Sequence, residues 1–253
     1  MLKEAIPIYI LWTGGYDSTF SLIQFLLKTE THIQPLYIHD SERASTSIEI
    51  KTMQHLREMI AQKFPHTVGR ILPTKYIMIE EIPENREVTE RFNLLLQKAH
   101  IGSQYDFITR YLVSVGLTNV NLSMERAPDK KNIHVGLSLM LKDSVEAFDD
   151  HGMTNYRLID AYQDAPESIF YIYNFPTAKF TKVDMMNIAK EKGFAEILLS
   201  TWFCFNPTKK MQPCGFCNPC RQVRESGLKR HLPGKLQSKV NHIRKGLVKL
   251  IQA

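Results

Sequence analysis

The stretch Ile6–Ser18, written IPIYILWTGGYDS, decides the fold, because an apolar run stops at two glycines and a helical pattern follows directly. Ile6 to Trp12 predicts a buried strand, and Ser18 to Leu27 predicts a helix. Glycine accepts positive φ and lets the backbone approach a ligand closely. The unpaired N–H groups at a helix start attract anions. We therefore interpret Thr13–Ser18 as a candidate phosphate loop.

The residues around the glycines exclude two common nucleotide loops. The Gly-Lys-Ser/Thr ending of a Walker A loop is absent, and so is the three-glycine dinucleotide fingerprint. An ordinary strand-to-helix turn could use the same glycines for geometry and Asp17 for capping, but the position directly after the first strand favours phosphate binding. Asp17 can also hold Mg²⁺ against a pyrophosphate. The residues predicted to contact a nucleotide are Thr13, Gly14, Gly15, Asp17, Ser18 and Thr19.

Strand-like and helix-like segments alternate after this loop, which predicts an α/β fold with a parallel sheet and helices on both faces. Two irregular segments interrupt the pattern: Asp149–Glu167 predicts a long loop, and Arg126–Asn132 an exposed turn. The further predicted strands are Pro35–His39, Tyr76–Ile82, Val120–Ser123 and Ile169–Tyr173. The further predicted helices are Ile48–Phe64, Glu87–Ala99, Gln104–Val115 and Thr181–Lys192.

All four cysteines of the chain lie close together near the C-terminus. Four thiolates at such spacing are typical of a structural Zn²⁺ site, which leaves no open position for catalysis. Disulfides are uncommon in the cytosol, and a redox role needs only one close pair. We therefore predict a small C-terminal zinc knuckle. Its ligands are Cys204, Cys214, Cys217 and Cys220.

The C-terminal segment is strongly basic. From Arg221 onwards the chain has nine Lys and Arg residues and one acid, Glu225, so this segment has a net charge of +8. The whole chain has a net charge of +6, so the preceding residues sum to −2. A basic tail is compatible with an acidic partner such as nucleic acid, but an amphipathic helix explains the same charges. We expect that helix to dock on its own domain or on a second subunit. Its apolar residues recur at spacings of four and three, at Leu236, Val240, Ile243, Leu247 and Leu250.

No apolar run approaches the roughly 20 residues that a membrane-spanning helix needs. The N-terminal apolar stretch leads directly into the glycine motif without a small-residue cleavage site, so we interpret it as a strand rather than as a signal peptide. Apolar residues make up 43% and charged residues 23% of the chain, which is ordinary for a soluble protein. We expect a cytoplasmic protein without a membrane partner.

The phosphate loop, TGGYDS, resembles the SGGxDS signature of the N-type ATP-pyrophosphatases, with Thr13 where that signature usually has Ser. Three later segments are similar to motifs of the 7-cyano-7-deazaguanine synthase family, QueC. Phe180–Asp184 resembles its LTK helix start, Thr201–Phe205 its TWSCY segment, and Cys214–Cys220 its CGxCxxC knuckle. The four motifs together reach both ends of the chain, so the combination is more specific than any one of them.

This resemblance implies a PP-loop, adenine nucleotide alpha hydrolase-like domain over residues 1–200 and a zinc knuckle with a basic helix over 201–253. It implies ATP with Mg²⁺, cleavage between the α and β phosphates, and conversion of 7-carboxy-7-deazaguanine into an amide and then a nitrile. Asp17, Ser18 and Lys182 become the catalytic candidates, although Lys182 could equally be a surface lysine of a first helical turn. With four thiols on zinc, nitrogen must arrive as ammonia or as a partner's amine.

The acceptor side departs from the family pattern. An RN-containing segment is replaced by GSQYDFITR, and a YPDC-type stretch is missing, with Asp149–Glu167 in roughly its place. Asp40 follows His39 at the end of the second predicted strand, where α/β sheets place ligands. Helix packing is the alternative role for the helix-start candidates. The substrate-side candidates are Asp40, Gln104, Tyr105 and Arg110.

The leading hypothesis is a QueC-like ligase that adenylates the carboxylate of a 7-deazaguanine-type acid for attack by a nitrogen nucleophile. One alternative is a ligase that conjugates the activated acid to an amine of a protein or nucleic acid, for example in antiphage defence. Another is a non-catalytic module that senses a nucleotide or a deazaguanine. We expect a homodimer.

Overall fold

The computed structural model describes residues 6–126, 136–225, 230 and 232–252, with the side chains of the last helix described as far as residue 245. Beyond Arg126, the turn predicted for Arg126–Asn132 lies outside these residues. The strands are β1 (Ile8–Leu11), β2 (Ile33–His39), β3 (Lys75–Met78), β4 (Val120–Asn121), β5 (Val145–Asp150), β6 (Met153–Leu158) and β7 (Tyr173–Asn174). The α-helices are α1 (Tyr16–Lys28), α2 (Thr46–Lys63), α3 (Arg86–Lys98), α4 (Gln104–Ser114), α5 (Leu137–Met140), α6 (Lys182–Glu191), α7 (Ala195–Leu199), α8 (Asn218–Glu225) and α9 (Lys235–Gln252).

Five strands form a parallel sheet in the order β3-β2-β1-β4-β7. β1 is central: Ile8 to Leu11 pair with β2, and Ile10 lies opposite Asn121 of β4. The chain adds strands on one side of β1 and then crosses to the other, so the β1–β4 junction is the point where strand order reverses. Ligands of open parallel sheets bind beyond the carboxyl ends of strands at such a point.

Helices cover both faces of the sheet, which confirms the predicted α/β architecture. On one face α1, α2, α6 and α7 close a cluster that includes Phe25, Leu56 and Met185. On the other face α3 and α4 close a second cluster with Phe92 and Leu112. These side chains are almost fully buried, and each such burial stabilises the fold by about 1.5–3 kcal/mol. The sheet is therefore fixed from both sides before any ligand binds.

The prediction of a long loop over Asp149–Glu167 is wrong. β5 and β6, of six residues each, form an antiparallel hairpin outside the main sheet, with Val145 opposite Leu158. His151 and Gly152 make its turn at φ 55° and 72°, the positive values that two-residue hairpin turns require. The polar composition of both strands conceals the pairing in the sequence.

A buried asparagine explains how a polar strand fits there. Asn155 is fully buried, and its amide donates to Oδ1 of Asn121 at 2.9 Å and to Oδ2 of Asp150 at 2.7 Å. A buried amide costs little once its hydrogen bonds are made. The hairpin is thereby tied to β4 of the main sheet.

Several predicted strands are shorter than expected. The run Ile169–Tyr173 begins in the 3₁₀ helix Pro166–Phe170 and continues as a turn, so that β7 has only two residues, Tyr173–Asn174. Proline at the start of a helical turn has the φ that the turn needs. Strand β3 stops at Met78, where a 3₁₀ turn over Ile79–Glu81 follows instead of the predicted strand.

The C-terminal region joins the sheet domain at the phosphate loop. The backbone N–H of Trp202 donates to the carbonyl of Gly14 at 2.9 Å. The predicted C-terminal helix is confirmed as α9, while the division of the chain at residue 200 stays a prediction. Among the described residues, no helix is both long enough and apolar enough to cross a membrane.

Candidate active site

The phosphate loop has the backbone that anion binding requires. Gly14 has φ +68°, a conformation that other residues rarely adopt, and a Cβ there would also lie close to the side chains of Thr52 and Met53, at 3.3 Å. Gly15 is the N-cap of α1 and makes no side-chain cap. The first backbone bond of the helix runs from Thr19 N–H to the Gly15 carbonyl at 3.0 Å. The N–H groups before Thr19 therefore lack helical acceptors and are placed for a ligand.

The second helix that begins at this site is α6. Thr181 caps it in a capping box with Asp184: the Thr181 hydroxyl accepts from the Asp184 N–H at 3.1 Å, and Asp184 accepts from the Thr181 N–H at 2.8 Å. The box fixes Lys182 at the first helical position. The Tyr16 hydroxyl then donates to the Lys182 carbonyl at 3.1 Å. The starts of α1 and α6 are thus joined.

Lys182 bridges two carboxylates at the edge of the loop. Its Nζ lies 2.8 Å from Oδ1 of Asp17 and 3.3 Å from Oε2 of Glu125, and its side chain is 16% exposed. Burial alone would lower the pKa of Lys182, but the two carboxylates outweigh it and raise the pKa above its usual value. Burial also raises the pKa of Glu125. Lys182 therefore keeps its positive charge at neutral pH.

The loop and Lys182 line a cavity of about 190 Å³ that lies between the loop and the cysteine region. We call Thr13–Ser18 with Lys182 the loop wall, and Trp202–Phe205, α8 and Arg230 the knuckle wall. The Trp202 and Phe203 rings stack with centroids 6.0 Å apart. The residues around the cavity are Thr13, Gly15, Tyr16, Asp17, Arg43, Glu49, Lys182, Trp202, Phe203, Phe205, Pro219, Gln222, Val223 and Arg230.

Two arginines lie in the cavity in different electrostatic states. Arg43 sits 5.6 Å over the Phe205 ring and pairs with the buried Glu49 at 2.9 Å. Arg230 sits 4.5 Å over the Phe203 ring and donates to the backbone carbonyl of Thr201. Burial lowers the pKa of Arg230 to about 10, so it remains charged at neutral pH.

The charge of Arg230 is available to a ligand. No ion pair of Arg230 is found among the described residues, and Asp17 is a carboxylate whose charge raises the pKa of Arg230 against the effect of burial. A partly buried cation without a counter-ion is costly unless an anion binds. Guanidinium groups match carboxylates and phosphates through paired hydrogen bonds. Arg230 thus provides an anion-binding group opposite the phosphate loop.

The four cysteines form a buried cluster that fits a tetrahedral metal. All four Sγ atoms lie within 4.8 Å of one another, and three pairs are 3.4, 3.8 and 3.9 Å apart. Zinc–thiolate bonds of about 2.3 Å place sulfurs about 3.8 Å apart in a tetrahedron. Backbone N–H groups of Cys214 and Cys217 donate to neighbouring sulfurs at 3.2 and 3.3 Å, as second contacts of thiolate ligands do. The cluster could hold zinc.

Three of the six predicted nucleotide residues line the cavity, together with the catalytic candidate Lys182. Thr13, Gly15, Asp17 and Lys182 all line the cavity. Ser18 lies in the first turn of α1, with its hydroxyl 3.4 Å from the Gly15 carbonyl. Gly14 lies behind the loop against α2. The hydroxyl of Thr19 is fully buried and accepts from the indole N–H of Trp12 at 3.0 Å, so it faces the core rather than the cavity.

The predicted substrate-side residues do not line this cavity. Oδ1 of Asp40 accepts from the N–H groups of Glu42 and Arg43 at 2.9 and 3.2 Å, which shapes the turn that carries Arg43. Arg110 donates to the Pro83 carbonyl at 3.1 Å. Gln104 is exposed, and the Tyr105 ring packs on Phe170 at 5.8 Å. Their substrate roles stay predictions.

The sequence patterns select neither Glu125, the second partner of Lys182, nor the cavity residues Arg43 and Arg230. Glu125 follows β4 and Arg43 follows β2, so both positions meet the rule that ligands lie beyond the carboxyl ends of strands. Arg230 was hidden within the total charge of the basic segment, where no local pattern distinguishes it from its neighbours.

Comparison with known proteins identifies the family. A search of curated proteins found no match. The family model described as queuosine biosynthesis protein QueC matches residues 8–232. The matched span starts with β1, includes the phosphate loop and all four cysteines, and ends beyond Arg230. This chain therefore belongs to the QueC family.

Proposed function

We propose that this protein is an ATP-dependent ligase that adenylates the carboxylate of a 7-deazaguanine-type acid and transfers the acyl group to a nitrogen nucleophile. The observation that carries the proposal is Lys182, held 2.8 Å from Asp17 at the helix-start phosphate loop, in one cavity with Arg230. The QueC family supports ATP and a deazaguanine as ligands. Zinc and Mg²⁺ belong to the same proposal.

The loop wall is suited to the phosphates. The N–H groups at the start of α1 bind an anion with the aid of the helix dipole. Lys182 is held beside Asp17 and supplies a positive charge. In the transition state, negative charge builds on the α-phosphate and the departing pyrophosphate. Donors that are already oriented stabilise that charge without reorganisation.

The proposed reaction has two balanced steps. In the first, a carboxylate oxygen of the acid bonds to the α-phosphorus of ATP, the bond to the β-bridging oxygen breaks, and pyrophosphate leaves with that oxygen. In the second, nitrogen bonds to the acyl carbon, and AMP leaves with the former carboxylate oxygen. The proton lost from nitrogen goes to solvent. Ammonia gives an amide, and a partner's amine gives a conjugate.

Arg230 and Lys182 have separate roles in this scheme. Arg230 comes from the wall opposite the loop and carries no carboxylate partner among the described residues. We assign it to the carboxylate of the acid, which it would orient toward the α-phosphate held by the loop wall. The aromatic rings of Trp202 and Phe203 offer stacking surface for a planar heterocycle.

The carboxylates of Asp17 and Glu125 are suited to Mg²⁺. Both already share one cation, the Lys182 ammonium, and Mg²⁺ binds through one or two carboxylates together with phosphate oxygens. When bound, the ion supplies charge neutralisation to the departing pyrophosphate. The four cysteines would hold a structural zinc that shapes the knuckle wall.

A product assay tests the proposal. The purified chain is incubated with ATP, Mg²⁺ and 7-carboxy-7-deazaguanine, with or without ammonium, and the nucleotide and heterocyclic products are separated by chromatography. We expect AMP and pyrophosphate in equal amounts, and the amide when ammonium is present. Formation of the nitrile would consume a second ATP: the amide oxygen bonds to the α-phosphorus as pyrophosphate leaves, and AMP then leaves with that oxygen while the nitrogen loses two protons to solvent. ATP binding without turnover would favour the sensing module, and absence of both binding and turnover would remove the enzyme hypothesis.

The changed acceptor side gives conjugation to a macromolecule a specific basis. The segment in the region of the missing YPDC-type stretch is the hairpin β5–β6, tied to β4 by Asn155. If the acid is adenylated but ammonium yields no amide, the acyl-adenylate either transfers its acyl group to a larger amine or is hydrolysed by water, and only the transfer adds the acyl mass to a macromolecule. Mass spectrometry of candidate protein or nucleic-acid amines from cells that express the chain would then find the added acyl mass.

A further inference from the structure

The last helix packs against the cysteine region through a polar face. The Asn241 amide donates to the carbonyl of Cys214 at 3.0 Å, and Lys245 donates to the side-chain oxygen of Asn206. Ser238 is buried on the same face, 3.3 Å from the Arg224 guanidinium. Positions 238, 241 and 245 repeat at helical spacing. The face that docks is therefore the hydrophilic one.

The described part of the apolar row of α9, from Leu236 to Ile243, is largely exposed. Leu236 is 78% exposed and Ile243 is 64% exposed, and Val240 between them is half-buried. At about 100° per residue these three positions lie roughly opposite the docked face. Single exposed apolar residues are ordinary, but a row at i, i+4 and i+7 is the pattern of a helix seam. The row requires an occupant.

The charges beside the row disfavour a second copy of α9 as that occupant. Lys239 and Arg244 are exposed on its two flanks, and the sequence of α9 contains no Asp or Glu. Flanking residues of paired helices face each other and set partner choice by charge. Two copies of α9 would place cations against cations, whichever way the helices run. The homodimer expected from the sequence would need another surface.

A lipid surface fits the row less well than a helix does. A membrane-surface helix keeps its polar face in water, whereas the polar face of α9 is occupied by the knuckle through Asn241 and Lys245. The exposed row is also narrow and aliphatic, without the Trp or Phe that anchors such helices. Narrow aliphatic rows are typical of helix–helix seams.

We propose that α9 is the docking surface for an amphipathic helix of another protein, whose apolar row is flanked by Asp and Glu. Apolar contacts with Leu236, Val240 and Ile243 give the affinity, and acidic flanks opposite Lys239 and Arg244 give the selectivity. The same knuckle that carries α9 also lines the cavity through Trp202–Phe205 and α8. A partner on α9 is thereby placed next to the candidate active site.

A pair of designed helices tests this surface. Both fluorescent peptides carry leucine and isoleucine in a heptad row, one with glutamates and one with lysines on the flanks, and binding to the full chain is followed by anisotropy. We expect the glutamate peptide to bind and the lysine peptide to bind at least about tenfold more weakly. Ile243→Ser should weaken the glutamate peptide about tenfold, and Lys239→Glu should reduce the preference between the peptides. Lys51→Glu, the same charge change on α2, should leave both affinities unchanged.

Several results would overturn the proposal. Equal binding of the two peptides, or an unchanged preference in Lys239→Glu, would remove the charge argument. Binding of vesicles made of equal parts phosphatidylcholine and phosphatidylserine that is lost in Ile243→Ser would assign the row to a membrane. A dimer by light scattering that Ile243→Ser dissociates would assign it to a second copy. Circular dichroism of each variant verifies that α9 has remained folded.

Discussion

The two walls of the cavity are held in place by different forces. The loop wall follows β1, whose Ile10 is fully buried in the middle of a five-stranded sheet with apolar clusters on both faces. The knuckle wall is attached to a small cluster whose buried members are the four cysteines. Buried apolar side chains thus hold the loop wall in place, and the cluster of four cysteines holds the knuckle wall. The comparison predicts that the walls can be damaged separately.

Metal removal should have the largest effect and should act on the knuckle wall alone. Structural zinc contributes about 10–16 kcal/mol to the folding of small zinc modules. Chelation in excess Mg²⁺, or Cys217→Ser, should abolish zinc binding and AMP formation but leave most of the far-ultraviolet circular dichroism, which comes from the sheet domain. Zinc is measured by a colorimetric chelator. Undiminished turnover by a zinc-free chain would contradict the claim that the knuckle wall depends on the metal while the loop wall does not.

Removal of the Lys182 charge should damage the loop wall without affecting the knuckle. Lys182→Met takes one preorganised cation from the phosphates, and loss of such a group costs about 10²–10³ in kcat. The zinc content should stay as in the unaltered chain. Lys190→Met on the exposed side of the same helix is the matched control. Equal rates in the two variants would show that Lys182 does not act on the phosphates.

Arg230 sharpens the comparison because it belongs to the knuckle wall but should act on the ligand. Arg230→Ala removes a charged hydrogen bond worth about 1.5–3 kcal/mol, so kcat/KM for the acid should fall about 10- to 100-fold while affinity for ATP stays the same. Arg230→Lys keeps the charge and should restore part of the loss. Arg86→Ala, at an exposed arginine of α3, is the control. A weakened affinity for ATP instead would assign Arg230 to the phosphates.

The smallest effect is expected at the cap of α6. Thr181→Ala removes the two hydrogen bonds of the Thr181 hydroxyl with Asp184 but keeps the backbone N–H bond to that carboxylate, and should lower the free energy of unfolding by about 1 kcal/mol. Hydrogen bonds from Thr181 hold the pKa of Asp184 below its usual value, so this stabilisation is present above about pH 4 and is lost as pH falls through the folded-state pKa. Chemical denaturation at pH 7 and near pH 3 measures both values. A difference that does not shrink in acid would exclude Asp184 as its source.

The parts of the molecule that the sequence predicts are those with short-range patterns. The loop at Thr13–Ser18 and the four cysteines are each local motifs, and the structure places each set together. The hairpin β5–β6 was not predicted because its polar strands depend on Asn155, whose partners Asn121 and Asp150 satisfy it only after folding. The composition of the two strands does not indicate these hydrogen bonds.

The two walls differ in the same way, because local motifs predict more of the loop wall than of the knuckle wall. Lys182 lies in a recognisable motif. The strand-end rule points to the region of Glu125, but only the fold shows that the two residues are partners, since they are 57 positions apart in the sequence. Arg230 reaches the cavity through contacts with Thr201 and Phe203. The sequence alone therefore does not identify Arg230 as a candidate anion-binding group, because its place in the cavity depends on the fold of the cysteine region.

Oxygen transfer tests the central claim most directly. The acid is prepared with ¹⁸O in its carboxylate and incubated with ATP, Mg²⁺ and the nitrogen donor, and the AMP is analysed by mass spectrometry. If the carboxylate attacks the α-phosphorus in this cavity, the AMP carries one ¹⁸O atom, and Lys182→Met forms almost none. Unlabelled AMP, or ADP in place of AMP, would contradict the account.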